Sequence, residues 1–231
     1  MMDKTSPRPP TLDPRHAIPD TRHSSASPTP IIHVVDDDPS FRTAVTRLLR
    51  AAKYEVRGYA SASEFLDSDS STGPGCILLD LRMPGVSGLD LQQSLALMEE
   101  RLPVIFLTGH GDIPASVRAM KAGAVDFLTK PVRRETLLPA IQNALGVDAK
   151  GRAARAVLRE LQDRYENLTP REREVLVHVV SGKLNKQIAF DLHAAERTIK
   201  AHRASIMEKL GVQSVAELVR LAQELGIEPI R

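Results

Sequence analysis

Tryptophan is absent from this 231-residue chain, aromatic residues make up 3% of it, and there is one cysteine. Each shortage excludes something. A platform that stacks single-stranded nucleic acid needs several exposed rings, so that class is disfavoured. One thiol forms no internal disulfide and suits a reducing compartment. Cys76 lies inside an apolar run and reads as a small buried hydrophobe. No run reaches the ~18 apolar residues of a membrane span. The basic residues near the N-terminus are not followed by the apolar core of a signal peptide. The expectation is a cytoplasmic protein with no membrane partner. Net charge is only +2, too little to argue for nucleic acid by itself. What is present is ordinary globular composition, 42% hydrophobic and 26% charged, in a chain long enough for one large or two small domains.

Residues 1–30 are rich in Pro, Ser, Thr and charge without periodicity, the composition of a disordered tail. Ile31 to Val35 is a short apolar strand that ends in Asp36, Asp37 and Asp38. Pro39 suits a helix first turn, and Phe41, Ala44, Val45, Leu48 and Leu49 form an amphipathic stripe. Glu55–Tyr59 reads as a weak strand, and Ser61 or Ser63 caps a short helix. Cys76 to Asp80 is an apolar run ending in a carboxylate before Met83-Pro84-Gly85. It reads as a strand buried on both faces, and the plain alternative for its acid is an Asp that opens a turn. A helix follows from Ser87 to about Glu100. Pro103–Thr108 is another buried strand, and Asp112 caps a helix carrying Val117 and Met120, closed by Gly123. Val125–Thr129 precedes Lys130-Pro131, and a last helix from about Arg134 to Leu145 is expected to stop at Gly146. Strand and helix alternate five times, which predicts an α/β doubly wound five-stranded parallel sheet over residues 31–146.

Residues 147–165 read as a helical connector or as a solvated linker. Thr169-Pro170-Arg171-Glu172 has the form of a capping box with Pro at the first helical position. Four helical patterns follow, at about 171–181, 185–193, 195–210 and 214–225, with no strand signal. Residues 166–231 therefore form a small all-α four-helix unit.

In a parallel sheet the carboxyl ends of the strands share one edge, where open α/β folds place their chemistry. That edge collects Asp36, Asp37, Asp80, Thr108 and Lys130. Carboxylates meeting there repel unless a cation joins them, and a sparse oxygen site with water suits Mg²⁺. Asp80 is then a candidate nucleophile toward a phosphoryl group. Taken singly, Thr108 reads as a strand-end hydroxyl and Phe127 as a core aromatic. Asp38 reads as a solvated bystander, and His33 and His110 as satisfied or exposed histidines.

With VVDDD, LLDLRMPG, LTGHGD and KAGAVDFLTKP in this order, the chain resembles the receiver domain of two-component response regulators, a flavodoxin-like fold. The resemblance implies that Asp36 and Asp37 are the acidic pair and Asp80 the phosphoacceptor. It implies Mg²⁺ on Asp37, Asp80 and the Arg82 backbone carbonyl, with Asp36 helping through water. It makes Thr108 and Phe127 the switch pair and Lys130 the phosphate-binding lysine, with a cis Lys130–Pro131 bond.

The segment 185–210 has helix-turn-helix spacing, with Ile188, Ala189, Leu192, Ile199 and Ile206 as core and Arg197, Lys200, His202 and Arg203 on an exposed face. A solvated basic face is the usual meaning of such a run. Residues 166–231 carry 10 Lys and Arg against 9 Asp and Glu, so only local clustering favours DNA. LTPREREVL, SGKLNKQIAFDL and ERTIKAHRASIMEKLGV resemble the LuxR/FixJ-type DNA-binding domain. That resemblance implies a helix-turn-helix at about Asn185–Ala204 and phosphate contacts from Lys186, Thr198 and Lys200 or Arg203. It puts Lys200, Ala201 and Ala204 at groove-facing positions, with Asn185 and Arg197 alongside.

Both resemblances together imply the FixJ branch of response regulators and a phosphorylation-switched transcription factor. A sensor histidine kinase, promoter DNA and RNA polymerase are the expected partners, with homodimerisation on phosphorylation and activation the expected outcomes. Such a protein catalyses only its own phosphorylation and dephosphorylation. Two alternatives stay open. One is a DNA-binding regulator whose receiver dimerises without phosphate. The other is a Mg²⁺-dependent aspartyl-phosphate phosphatase, for which Asp36-Asp37-Asp38 contains the Asp-x-Asp spacing but no substrate cap is evident.

Overall fold

The computed structural model describes residues 28–68, 73–97, 102–109 and 113–230. Five strands, β1 (Ile31–Val35), β2 (Glu55–Tyr59), β3 (Gly75–Asp80), β4 (Val104–Thr108) and β5 (Asp126–Thr129), form one parallel sheet in the order β2-β1-β3-β4-β5. Strand order reverses beside β1, so the crevice at the carboxyl ends of β1 and β3 is the switch point of the sheet. All six residues of β3 are buried, as a strand covered on both faces requires.

Helices cover both faces. On one side α1 (Pro39–Ala51) and the first half of α5 (Arg134–Glu166) close a core of Val34, Leu49, Leu78, Ile105, Leu137 and Ile141. On the other, α2 (Ala62–Leu66), α3 (Gly88–Ala96) and α4 (Ile113–Lys121) close a core around Phe65, Leu79, Leu91 and Phe106. Asp38 is exposed but not a bystander. Its Oδ1 accepts the Ser40 and Phe41 N–H groups at 2.8 and 3.3 Å and caps α1. Ser61, not Ser63, caps α2. Helix α3 begins at Gly88, where a Cβ would sit 2.3 Å from the Asp80 carbonyl oxygen, so only glycine lets it seat against β3. In α4 the alanines Ala115 and Ala119 face the core, while Val117 and Met120 are 47% and 46% exposed. His110 and the expected Asp112 cap lie outside the described residues, as do the tail through residue 27 and the expected end of α3 at 98–100.

The stop at Gly146 does not occur. Helix α5 runs unbroken from Arg134 to Glu166, so the connector is its second half. Glycine in a helix costs about 1 kcal/mol against alanine, which lateral anchoring easily overrides. The anchor is Asp148, 4% exposed, whose Oδ2 accepts the Gly75 N–H at 3.0 Å. Arg152 pairs with Asp148 at 3.0 Å and donates to the Gly73 carbonyl.

The end of α5 packs Leu161 and Tyr165 against a third core, made with α6 (Pro170–Val180), α7 (Asn185–Asp191), α8 (Glu196–Leu210) and α9 (Val215–Glu224). The capping box forms as expected, with Glu172 accepting the Thr169 N–H at 2.8 Å. Gly211 closes α8 at φ 68°, a left-handed cap.

Candidate phosphoacceptor and nucleic-acid sites

Asp36 follows β1 directly and Asp80 ends β3, so parallel pairing sets them side by side. Asp36 is wholly buried and Asp80 is 7% exposed, whereas Asp37 is exposed. One oxygen from each of the three carboxylates lies within 4.8 Å of the others. Thr108 ends β4 and is buried, and its carbonyl accepts the Lys130 N–H at 2.6 Å. That bond holds the β5 exit against β4, and the Lys130–Pro131 bond is cis.

The Lys130 ammonium reaches into the acidic cluster. It donates to Asp80 Oδ2 at 2.8 Å and lies 2.6 Å from Asp36 Oδ2. The second contact is an ion pair with poor hydrogen-bond alignment, so Asp36 Oδ2 is buried without an aligned donor. Asp36 Oδ1 accepts the Asp38 N–H at 3.0 Å, and Asp80 Oδ1 accepts the Arg82 N–H at 3.3 Å. Burial pushes Asp36 above the usual carboxylate range, and Lys130 with the Asp38 N–H pulls it only part of the way back. Burial acts to lower Lys130, but Asp36 and Asp80 outweigh it and the net shift is upward. An under-satisfied buried carboxylate flanked by two more is a donor set a hard divalent cation would complete.

Phe127 lies in β5, half-buried, its ring 6.4 Å from that of Phe106. His33 is a satisfied histidine, 1% exposed with Nδ1 3.2 Å from the Tyr59 hydroxyl, and Cys76 is buried as expected, its thiol pushed up to about 12 first by burial. Arg82 is exposed, two residues beyond Asp80.

The expected nucleic-acid residues fall into two groups. Lys186 on α7 and Arg197, Thr198, Lys200, Ala201 and Ala204 on α8 are exposed. Asn185 and Arg203 are half-buried and bonded to each other, Arg203 Nη1 to Asn185 Oδ1 at 2.8 Å. Arg203 is thus engaged in joining the two helices. Lys200 lies 3.5 Å from Glu196 in an exposed pair of little energetic weight. Phe190, one helical turn beyond Lys186, is 81% exposed.

Two side chains do more here than their spacing in the sequence suggests. By spacing, Phe41 belongs wholly to the core stripe of α1, yet the Lys130 ammonium lies 4.2 Å from its ring centroid. Glu172 reads by spacing as a capping residue only, yet it also accepts from Ser205 and Lys209 of α8, each at 2.7 Å. Neither contact is a spacing signal, since both join elements distant in sequence.

Residues 32–142 match the response regulator receiver domain, and residues 166–222 match the luxR family of bacterial regulatory proteins. Nodulation protein W of Bradyrhizobium diazoefficiens is 45% identical over 205 residues, covering 89% of this chain and 90% of its own. The chain belongs to the response-regulator family. The transcriptional regulatory protein FixJ of Azorhizobium caulinodans is 40% identical over 198 residues, 86% of this response regulator and 94% of that protein. The structure of response regulator StyR superposes with a TM-score of 0.72 at 46% identity, over 85% of this chain and 99% of that one. Full-length FixJ from B. japonicum gives 0.52 at 38% identity, over 85% and 97%. The receiver domain and the LuxR-type helix-turn-helix thus place this response regulator among transcriptional regulators of two-component systems, which take their signal from a histidine kinase and act on DNA. No helix among the described residues is long and apolar enough to cross a membrane.

Proposed function

We propose that Asp80 accepts a phosphoryl group from a sensor histidine kinase and that its phosphorylation drives dimerisation and promoter binding. The observation that carries this reading is the Lys130 ammonium spanning Asp36 and Asp80 at the switch point of the sheet. Asp36, Asp37, Asp80 and the Arg82 carbonyl would hold Mg²⁺. When bound, the ion neutralises charge on phosphoryl oxygens. An Asp80 carboxylate oxygen attacks phosphorus, the phosphorus–nitrogen bond to the kinase imidazole breaks, and the imidazole leaves with that electron pair. Lys130 shares the charge on the transferred oxygens.

Thr108 then turns its hydroxyl to the phosphoryl group and Phe127 moves further inward. The exposed Val117 and Met120 of α4 support a dimer face beside β5. Residues 31–146 are the receiver, 147–165 the helical link and 166–231 the DNA-binding domain. Two copies place α8 in successive major grooves, with phosphate contacts from Lys186 and Thr198 and with Lys200, Ala201 and Ala204 toward the bases. Bound at a promoter in the cytoplasm, the dimer recruits RNA polymerase and activates transcription.

DNA binding by full-length wild type and Asp80→Asn, with Mg²⁺ and acetyl phosphate, tests the reading. Wild type should bind tighter with donor and the variant should not respond. Full donor-stimulated binding by Asp80→Asn would overturn it.

A further inference from the structure

Among the described residues the Lys130 ammonium meets two carboxylates, Asp36 and Asp80, and a third group of another kind. The third is the face of Phe41, whose centroid lies 4.2 Å away. A cation over an aromatic face is attracted by the negative face of the ring quadrupole, most strongly where water is thin. The Lys130 side chain is 16% exposed, so little water competes.

The ring is placed by the same loop that supplies the acids. Asp38 Oδ1 accepts the Phe41 N–H at 3.3 Å and so fixes the first turn of α1 beside Asp36. Phe41 is half-buried and packs against the α1 side of the core. An apolar residue of any shape would serve that packing. A flat electron-rich face toward an ammonium is a narrower requirement.

We propose that Phe41 is a positioning residue for phosphoryl transfer, its ring face holding the Lys130 ammonium in place between Asp36 and Asp80. The proposal rests on the reading of Asp80 as phosphoacceptor. A leash of four methylenes leaves the ammonium several positions that satisfy one carboxylate. The ring removes those that swing it toward solvent, so the charge is in place before phosphoryl oxygens arrive.

The test is the rate at which full-length protein, with Mg²⁺, is phosphorylated by acetyl phosphate. Phe41→Leu should slow it by about two- to fivefold, the rate equivalent of one such contact. Phe41→Tyr should restore most of the loss. Replacing Phe41 with mono-, di- and trifluorophenylalanine keeps shape and removes face charge in steps, so the rate should fall in that order. A trifluoro variant as fast as wild type, or a Leu variant as fast as wild type, would overturn the proposal.

A second measurement needs neither donor nor metal. In the free protein the ring should shift the Lys130 ε-methylene protons upfield, and Phe41→Leu should abolish that shift. No upfield shift in wild type would also overturn the proposal. If wild type takes no phosphoryl group at Asp80, the phosphoacceptor reading fails, and the proposal falls with it. A normally phosphorylated wild type with an unresponsive fluorine series defeats the proposal alone.

Discussion

Asp36 in the sheet unit and Glu172 in the helical unit are both buried acids, and they have opposite fates. Glu172 is 4% exposed, and burial acts to raise it. Lys209, Ser205 and the Thr169 N–H reverse that and hold its carboxyl at about 2. Asp36 is wholly buried beside two other carboxylates, with one oxygen lacking an aligned donor, and its carboxyl stays above the usual range. The first is a finished structural joint between α6 and α8. The second carries a cost that Lys130 and the Asp38 N–H offset only in part, and such a cost at a strand-end crevice fits the proposed cation site. In the helical unit the residues assigned to DNA are instead mostly on the surface, where they cost the fold little.

The largest expected effect tests whether the sheet unit carries its titration burden deeper than the helical unit. Burial first, then Arg57, lowers His33 from 6.5 to about 4. A histidine held neutral contributes fully above pH 6.5 and loses that contribution as pH falls toward 4. The loss is on the order of 3 kcal/mol. His178 in the helical unit is also lowered, by burial first and then by Lys183, with Asp191 and Glu174 acting against them. Urea unfolding followed by resolved amide signals in β1 and α8, at pH 7 and pH 4.5, measures both. In His33→Leu the β1 signals should lose most of their pH dependence. A wild-type β1 midpoint as insensitive as that variant's would break the comparison.

The next effect sets the two acids against each other directly. Glu172→Ala removes a cap and strands Lys209, which is still 35% exposed at its side chain and so recovers some hydration. The helical unit should lose about 2 kcal/mol. Asp36→Asn, measured without Mg²⁺, should stabilise the sheet unit by about 1 kcal/mol, because it removes an acid whose charged form the fold disfavours. Thermal unfolding at pH 7 separates the signs. Destabilisation by both would mean that Asp36 is as structural as Glu172.

Which acids meet at the strand-end edge was legible in the sequence for a physical reason. Parallel strands are short apolar runs, and their ends are easily read, so the order of residues alone assigns Asp36, Asp80, Thr108 and Lys130 to one edge. The alternation of strands and helices gave the sheet, and Thr169 to Glu172 gave the α6 cap. Three features were not legible. Gly146 looked like a stop because the Asp148 anchor to Gly75 joins residues 73 apart in sequence. Val117 and Met120 looked like the apolar content of α4, but Ala115 and Ala119 are the residues that enter the core. Phe41 satisfied the helical stripe and so hid its second neighbour. In each case the deciding contact is tertiary, and periodicity carries no information about it.

The smallest effect concerns two cations offered as phosphate contacts, Lys186 and, as the alternative to Lys200, Arg203. Lys186 is exposed on α7, whereas Arg203 is tied to Asn185 across the turn between α7 and α8. A phosphate contact displaces counterions, so removing it lowers the slope of log affinity against log salt by about 1. A brace displaces none. Lys186→Ala should therefore weaken binding of the phosphorylated protein at low salt and flatten that slope. Arg203→Ala should weaken binding through a loosened helix pair, by about 1 kcal/mol, the net worth of one such bond, with the slope unchanged. Amide exchange in α7 without DNA should rise in Arg203→Ala and not in Lys186→Ala. Equal slope changes in both variants would put Arg203 on the phosphate backbone and remove the distinction between bracing and binding cations on this face.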